Sequence, residues 1–507
     1  MTNTVGLIPS WRVTIGFLEL LGTIVLYMNR VNISFALVCM TKPPGGYNLP
    51  DGSTNITNLT QGGINGGNSN VTVSLEGQPE FDWDRKLVGF ILSSFFIGYI
   101  LTQLPSGLAA TRVSPKWLLV SGMAVTILSS FLSPVAARAG WGYLVAMQII
   151  KGLACGSFYP ALQLLISAWA PPHERSRLFT FAYSGAPIGS IIGFLSAGFL
   201  CSSGFAGGWP SIFYVYAICG TIWLIIFSIL VHDSPSVHPF VSDREREYIL
   251  HCRGETSQKK KTRPIPWKSI ATSLPLLAIL AAEAAYCWLW YTALTSIPIY
   301  INDVLKFNIR KNGFASSMPY VVNLCVGLSA SYVADQLIIR RVFRPTIVRK
   351  LCVSGAMLLP AILIVSVGFL SSHQTNIAVL LISLAVGCLA FARPGNHVNT
   401  VEIAPRLSSI IMGVDNTICN ISGLLAPMVT GQLAANGTQA EWRHVFFLAG
   451  GISLVGEIVY LIFGSAEIQP WATDQEDDVI DDVQVLKCQS DPLVTNGEGQ
   501  QQKSVTC

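Results

Sequence analysis

The stretch "WRVTIGFLELLGTIVLYMNRVNISFALVCM", Trp11 to Met40, decides how the chain is read. It is almost unbroken Leu, Ile, Val, Phe, Gly and Met. A helix of that length rises about 45 Å at roughly 1.5 Å per residue, enough to cross the ~30 Å hydrocarbon layer of a bilayer. The run is too long, and its flanks are wrong, for a cleaved signal peptide. Yet Arg30 stands beside Asn32, far from either end. A charge at bilayer mid-depth costs at least about 2.5–3.5 kcal/mol on the mildest scale. The stretch therefore predicts a spanning helix whose arginine faces something polar.

The rest of the chain has the same character. Of 507 residues, 51% are hydrophobic and 12% charged, and the mean hydropathy is +0.50. Soluble domains carry about 25% charged residues, so most of this chain does not meet water. The net charge of +4 is too small to suggest nucleic-acid binding. The twelve cysteines mostly stand singly in apolar runs, as Cys155, Cys219, Cys325 and Cys388 do, and read as small buried hydrophobes. With no C-x-x-C pair and no Cys/His metal spacing, no metal site is expected. There is no nucleotide-binding glycine loop either, and the histidines lie mostly in loops or near helix ends. An enzyme is not expected, and the only cofactor foreseen is a coupling ion.

Apolar runs of spanning length number twelve: 12–40, 87–110, 117–137, 142–169, 178–202, 210–231, 272–301, 312–334, 348–371, 376–402, 407–434 and 444–465. The organisation that follows is a short N-terminus (1–11), six spans (12–231), a basic linker (232–271), six more spans (272–465) and an acidic tail (466–507) expected to be disordered. The Gly-, Asn- and Thr-rich loop 41–82 interrupts the first half. The prediction is an all-α membrane protein whose two six-helix halves enclose a central cavity, the plan of the major facilitator transporters. "GLAATRVSPKW" (107–117) and "SYVADQLIIRR" (331–341) lie at matching places after the second span of each half. Both resemble degenerate forms of that superfamily's glycine-, acid- and base-containing loop.

With the N-terminus in the cytosol, cytosolic segments hold nineteen Lys and Arg against eight on the other side, as the positive-inside rule requires. Glycosylation sequons at Asn55, Asn58, Asn70 and Asn436 then all fall on the non-cytosolic face. Asn32 in "NIS" is a sequon that lies within the bilayer, where no glycan is expected.

Three cations remain inside predicted spans: Arg30 in span 1, Lys151 in span 4 and Arg393 in span 10. Snorkelling would have to bridge about 15 Å, more than twice a lysine's reach. Interhelical ion pairs are the other plain reading, with Glu19, Glu283, Asp415 and Glu457 as partners. For Arg393 the kink in "ARPGN" leaves both an ion pair and a cavity role open. Arg30 is the better binding candidate, because a guanidinium offers a planar fork suited to carboxylate or phosphate. Arg30, Asn32, Lys151 and Arg393 are the candidate substrate residues, and the four carboxylates are the candidates for coupling. The aromatic run "YCWLWY" (286–291) reads as interior packing more readily than as cavity lining.

Several stretches together resemble one family: the anion transporters that include sialin, the type-I sodium/phosphate cotransporters and the vesicular glutamate transporters. They are "YMNRVNIS", "FDWDRKLVGFILSSFFIGYILTQLPSGLAA", "WAPPHERSRL" (169–178), "GWPSIFYVYA", "VEIAPRLSSIIMGVDNT" and "AEIQPWA". The resemblance covers roughly residues 12–472 and is nearest to sialin-like members. It implies that Arg30 occupies the place of a span 1 arginine tied to substrate binding. It also shows departures. Gln148 and Cys155 stand where sialin and the glutamate transporters carry an arginine and a glutamate in span 4. Leu92 and Tyr286 replace a histidine and an arginine of the glutamate transporters.

The expected function is alternating-access secondary transport of a small anion: sialate or another acidic sugar, a carboxylate, or phosphate. Coupling to H⁺ or Na⁺ is implied by the resemblance, with Lys151 and Arg393 standing in for the missing cations. The basic loops after spans 2, 4 and 8 would form ion pairs that change with conformation. The protein is expected to work as a monomer in the plasma membrane or a lysosomal or vesicular membrane. Two alternatives stay open: a transport-deficient sensor or scaffold, and an uncoupled facilitator or channel.

Overall fold

The computed structural model describes residues 10–42, 79–110, 113–253, 266–371, 374–404 and 407–472. Twelve of its helices are long and apolar enough to cross a membrane. They are Trp11–Met40, Arg85–Gln103, Pro115–Ala139, Trp141–Trp169, Arg177–Ser202, Pro210–Leu230, Leu274–Asp303, Ile309–Ile339, Pro345–Val367, Thr375–Glu402, Ile410–Leu433 and Gln439–Phe463. These are spans 1 to 12. No strand occurs among the described residues. The expected twelve-span, all-helical architecture holds. The sequons Asn55, Asn58 and Asn70, the linker's "QKKKTR" and the acidic run of the tail lie outside the described residues.

Polar side chains start the helices where the sequence supplies them. Glu245, on the linker helix Asp243–Arg253, accepts from Ser10 Oγ (2.5 Å) and from the backbone N–H of Trp11 (3.1 Å) and Arg12 (3.3 Å). It satisfies orphan donors at the positive end of span 1. Asp233 does the same for span 3 through Ser114 Oγ (2.6 Å) and Lys116 N–H (3.0 Å). The linker 232–271 is therefore partly helical and docked. The expected disordered tail also needs correcting: residues 466–472 pack back on the bundle, with Gln469 N–H donating to Ile403 O at 2.9 Å. The Gln469–Ile403 backbone hydrogen bond and the packing of Trp471 hold this stretch in place.

The two halves meet most closely at the end opposite Trp11 and Phe463, here the far end. Gly89 of span 2 faces Gly431 of span 11, where an added Cβ would stand 3.2 Å from the Gly431 Cα. Gly198 of span 5 faces Gly313 of span 8, where an added Cβ would stand 3.0 Å from the Gly313 Cα. Only glycine allows backbones this close, and within a bilayer such small-residue contacts are what bring helices together. Arg85 and Asp303, from the two halves, form a buried ion pair at the same end. Arg85 thus opens span 2, two residues before the expected start at 87, in a buried ion pair. At the other end, Arg12–Glu174 (2.9 Å) and Arg349–Glu402 (2.6 Å) each stay within one half.

Candidate functional site

Span 1 carries its arginine at mid-length because spans 2 and 7 surround it with ring faces. The Arg30 guanidinium carbon lies 5.0–5.6 Å from the rings of Tyr27, Phe95, Phe96, Tyr99 and Tyr291. Aromatic faces are negative and attract a cation, more strongly where water is excluded. Arg30 Nη2 donates to Tyr291 Oη at 3.0 Å, and Tyr291 Oη donates to Asn420 Oδ1 at 3.4 Å. Tyr291 belongs to the C-terminal half, so this contact joins the halves at mid-depth. Arg30 Nε is buried and has no hydrogen-bond partner.

Lys151 is 1% exposed, in the middle of span 4. Its Nζ reaches Asn29 O at 3.4 Å and Asn32 Oδ1 at 3.5 Å, and stands 5.8 Å from the Phe213 ring centre. Asn29 is otherwise saturated, donating to Val25 O and Tyr216 O and accepting from Ser130 Oγ. It fixes span 1 to spans 3 and 6. Asn32 is not saturated: its Nδ2 is buried without a partner. Gln148, one turn before Lys151, is buried with both polar atoms unpartnered. Cys155, one turn after it, lies within electrostatic reach of both Arg30 and Lys151.

Neither cation has a carboxylate partner among the described residues. The ion-pair reading of Arg30 and Lys151 is thereby removed. What remains is a pair of positive charges with orphaned donors on Arg30, Asn32 and Gln148. A buried donor left unmade costs about 1–3 kcal/mol, so the arrangement favours an incoming acceptor that carries negative charge.

Arg393 stands apart from this group. Span 10 loosens into a π-turn over Arg393–His397, and Arg393 Nη2 donates to Asn323 Oδ1 of span 8 at 3.0 Å. The wide turn frees the Pro394 carbonyl, which accepts from Arg349 Nη1 at 2.5 Å. Of the four carboxylates, Glu283 is the best connected. Its Oε2 accepts from Asn396 Nδ2 (2.8 Å) and lies 3.3 Å from His397 Nε2, while Oε1 lies 3.4 Å from Cys287 Sγ. Asp415 interacts electrostatically with Glu283 and has a buried, unpartnered Oδ1. Glu457 is held by Ser354 Oγ (2.5 Å) between spans 12 and 9. Glu19 is fully buried with both oxygens unpartnered. It lies eleven residues from Arg30 on nearly the same face of span 1, about 16 Å along the helix. Asn436 is exposed at the far end and donates Nδ2 to Glu441 Oε1 at 2.6 Å.

Sequence reasoning did not find Tyr291 or His397 as site residues, nor the disulfides Cys39–Cys201 and Cys287–Cys419. The cysteines read as isolated hydrophobes because the partners lie 162 and 132 residues apart. The one available hint was that Glu283 and Cys287 lie a helical turn apart.

Comparison with known proteins agrees with this architecture. Residues 20–427 match the Major Facilitator Superfamily. Sheep sialin is 37% identical over 91% of each chain. A putative inorganic phosphate cotransporter of Drosophila melanogaster is 34% identical over 96% of this chain and 91% of its own. Zebrafish vesicular glutamate transporter 3 is 38% identical over 80% of this chain and 69% of its own. Among solved structures, a bacterial homologue of the human lysosomal transporter Spinster superposes with a TM-score of 0.66 at 13% identity, over 92% of this chain and all of its own. A D-xylose–proton symporter gives 0.64 at 15% identity, over 91% and all of its own. The chain is a multi-pass membrane protein of the major facilitator superfamily, and belongs to the family that holds sialin, the vesicular glutamate transporters and the putative inorganic phosphate cotransporters.

Proposed function

We propose that the protein carries one small anion (a sialate or other acidic sugar, a carboxylate or phosphate) across its membrane by alternating access. The observation that carries this reading is the pair of unpaired cations, Arg30 and Lys151, with orphaned donors on Asn32 and Gln148 beside them. Arg30 supplies the fork for a carboxylate or phosphate edge, and Lys151 adds a second charge. Release of Arg30 from Tyr291 on binding links substrate to the contact between the halves. A ligand shifts such an equilibrium only through its differential affinity for the two states.

The positive-inside count places both ends of the described bundle in the cytosol, so the far end sealed by Arg85–Asp303 is the non-cytosolic face. Asn55, Asn58, Asn70 and Asn436 are then the glycan acceptors. The membrane is the plasma membrane or a lysosomal or vesicular one, and the working unit is the monomer. A coupling H⁺ or Na⁺ acts at the C-terminal carboxylates Glu283 and Asp415. Glu19 and Glu457 are second candidates. Cys155, at the place of a family glutamate, supports an alternative in which the anion moves uncoupled, driven by its own gradient and the membrane potential.

Uptake of a labelled anion panel into proteoliposomes, under separately imposed H⁺, Na⁺ and voltage gradients, tests the reading. Saturable uptake of one anion that responds to H⁺ or Na⁺ supports it. Uptake that ignores both gradients selects the uncoupled facilitator. Absence of uptake for every anion selects the sensor or scaffold.

A further inference from the structure

A second group of ligating atoms lies in the C-terminal half, apart from Arg30 and Lys151. Glu283 and Cys287 sit one turn apart near the middle of span 7 and share a face. Cys419 meets them from span 11. One carboxylate oxygen and the two sulfurs all lie within 4.8 Å of one another. The other carboxylate oxygen faces His397 Nε2 at 3.3 Å and is held by Asn396 Nδ2 at 2.8 Å. Glu283 and Cys287 are buried, whereas the His397 side chain is 38% exposed, so the group has one open edge. In the structure Cys287 and Cys419 are joined as a disulfide.

We propose that, once this disulfide is reduced, the group binds one thiophilic divalent cation of the Zn²⁺ class. A small dithiol delivers two electrons and two protons, giving two protein thiols and its own oxidised disulfide. The cation then displaces the two thiol protons to water. Cys287 Sγ, Cys419 Sγ and a Glu283 oxygen are its ligands, and His397 Nε2 takes the fourth position. Two thiolates, an imidazole and a carboxylate are the donor types that tetrahedral zinc takes. Hard cations prefer all-oxygen shells and are not favoured here. The Asn396 contact orients the carboxylate, as outer-shell partners of metal ligands do. Disulfide and metal exclude each other, so the site is loaded only when the thiols are free. A bound cation ties span 7 to span 11 and withdraws Glu283. Its effect on transport rests on the coupling role proposed above; the binding does not.

The test uses the full chain in detergent, reduced with dithiothreitol that is then removed without air, and titrated with Cd²⁺ as the probe. The expected result is an ultraviolet cadmium–thiolate charge-transfer band that saturates at one Cd²⁺ per chain and is displaced by Zn²⁺. The band should be missing in unreduced protein and in a Cys287→Ser/Cys419→Ser variant that elutes as wild type does. Glu283→Gln should weaken binding by about tenfold or more. No band in reduced wild type overturns the proposal, as does a band that persists in the double-serine variant. Reduced proteoliposomes separate the two claims. Zn²⁺ that binds and slows uptake supports both. Zn²⁺ that binds without changing uptake leaves the metal site standing and overturns the coupling role of Glu283.

Discussion

The two halves repeat a six-span plan but spend their buried polar groups differently. In the N-terminal half, Arg30 and Lys151 lie among rings and amides with no carboxylate partner among the described residues. In the C-terminal half, Glu283 is held by Asn396 and His397, with Asp415 within electrostatic reach. Arg393 sits there too, but on Asn323. The difference teaches that the halves are not interchangeable copies: one buries cations, the other a cluster of carboxylates; on the reading proposed above, the first takes the anion and the second the coupling ion. Tyr291 joins them through its hydrogen bond from Arg30.

That division is open to attack by substitution. Arg30→Ala should take anion uptake to background. Losing one partner of a buried, hydrogen-bonded charge contact costs about 2–5 kcal/mol, a loss of roughly thirtyfold to several thousandfold. Arg30→Lys should keep part of the activity, since it restores the charge without the fork. Next comes the pair that joins the halves at the far end. Asp303→Asn leaves Arg85 buried without its counter-charge, at a cost of about 3–5 kcal/mol borne only by the closed far end. Hydrogen exchange at the far-end amides of spans 2 and 11 should then rise by about a hundredfold or more.

Lys151→Met should leave the fold intact, because a buried lysine with no carboxylate partner is replaced by an apolar chain of similar length. The KM for the anion should rise by about tenfold. An unchanged KM would reduce the anion site to Arg30 alone.

The smallest effect concerns the linker. His238 packs against Trp11 and Trp169, with ring centres 4.2 and 5.3 Å away, and its Nε2 lies 3.0 Å from Leu230 O. Burial pushes its pKa below the ordinary value of 6.5. The undocked imidazole takes up a proton more readily, so linker docking is fully stable above that value and weakens as pH falls below it. Trp11 and Trp169 fluorescence should report this loosening, and His238→Phe should remove its pH dependence.

Much of this was legible in the sequence, for a physical reason. Twelve runs long enough to cross a bilayer leave few other folds open, and a cation inside a run stands out because lipid penalises it. Arg30 and Lys151 stood out in that way, and the structure sets Lys151 beside Asn32 of the span that carries Arg30. The rest depended on which helices touch. Nothing in the local pattern around Tyr291 says that it meets a residue 261 positions earlier. The Arg85–Asp303 pair spans 218 positions, and nothing around Arg85 points to a partner that closes a different helix. His397 escaped notice because its importance comes from Glu283, on another span. The cysteines escaped because an apolar run looks the same whether its thiol is alone or paired.

The measurement that bears most directly on the division between the halves is counterflow exchange of a labelled anion with no ion gradient, comparing wild type, Arg30→Ala and Glu283→Gln in proteoliposomes. Exchange needs the anion site and the conformational change but no net coupling. The account predicts exchange lost in Arg30→Ala and kept in Glu283→Gln, whose gradient-driven uptake alone should fail. Exchange at wild-type rate in Arg30→Ala, or its loss in Glu283→Gln, would contradict it.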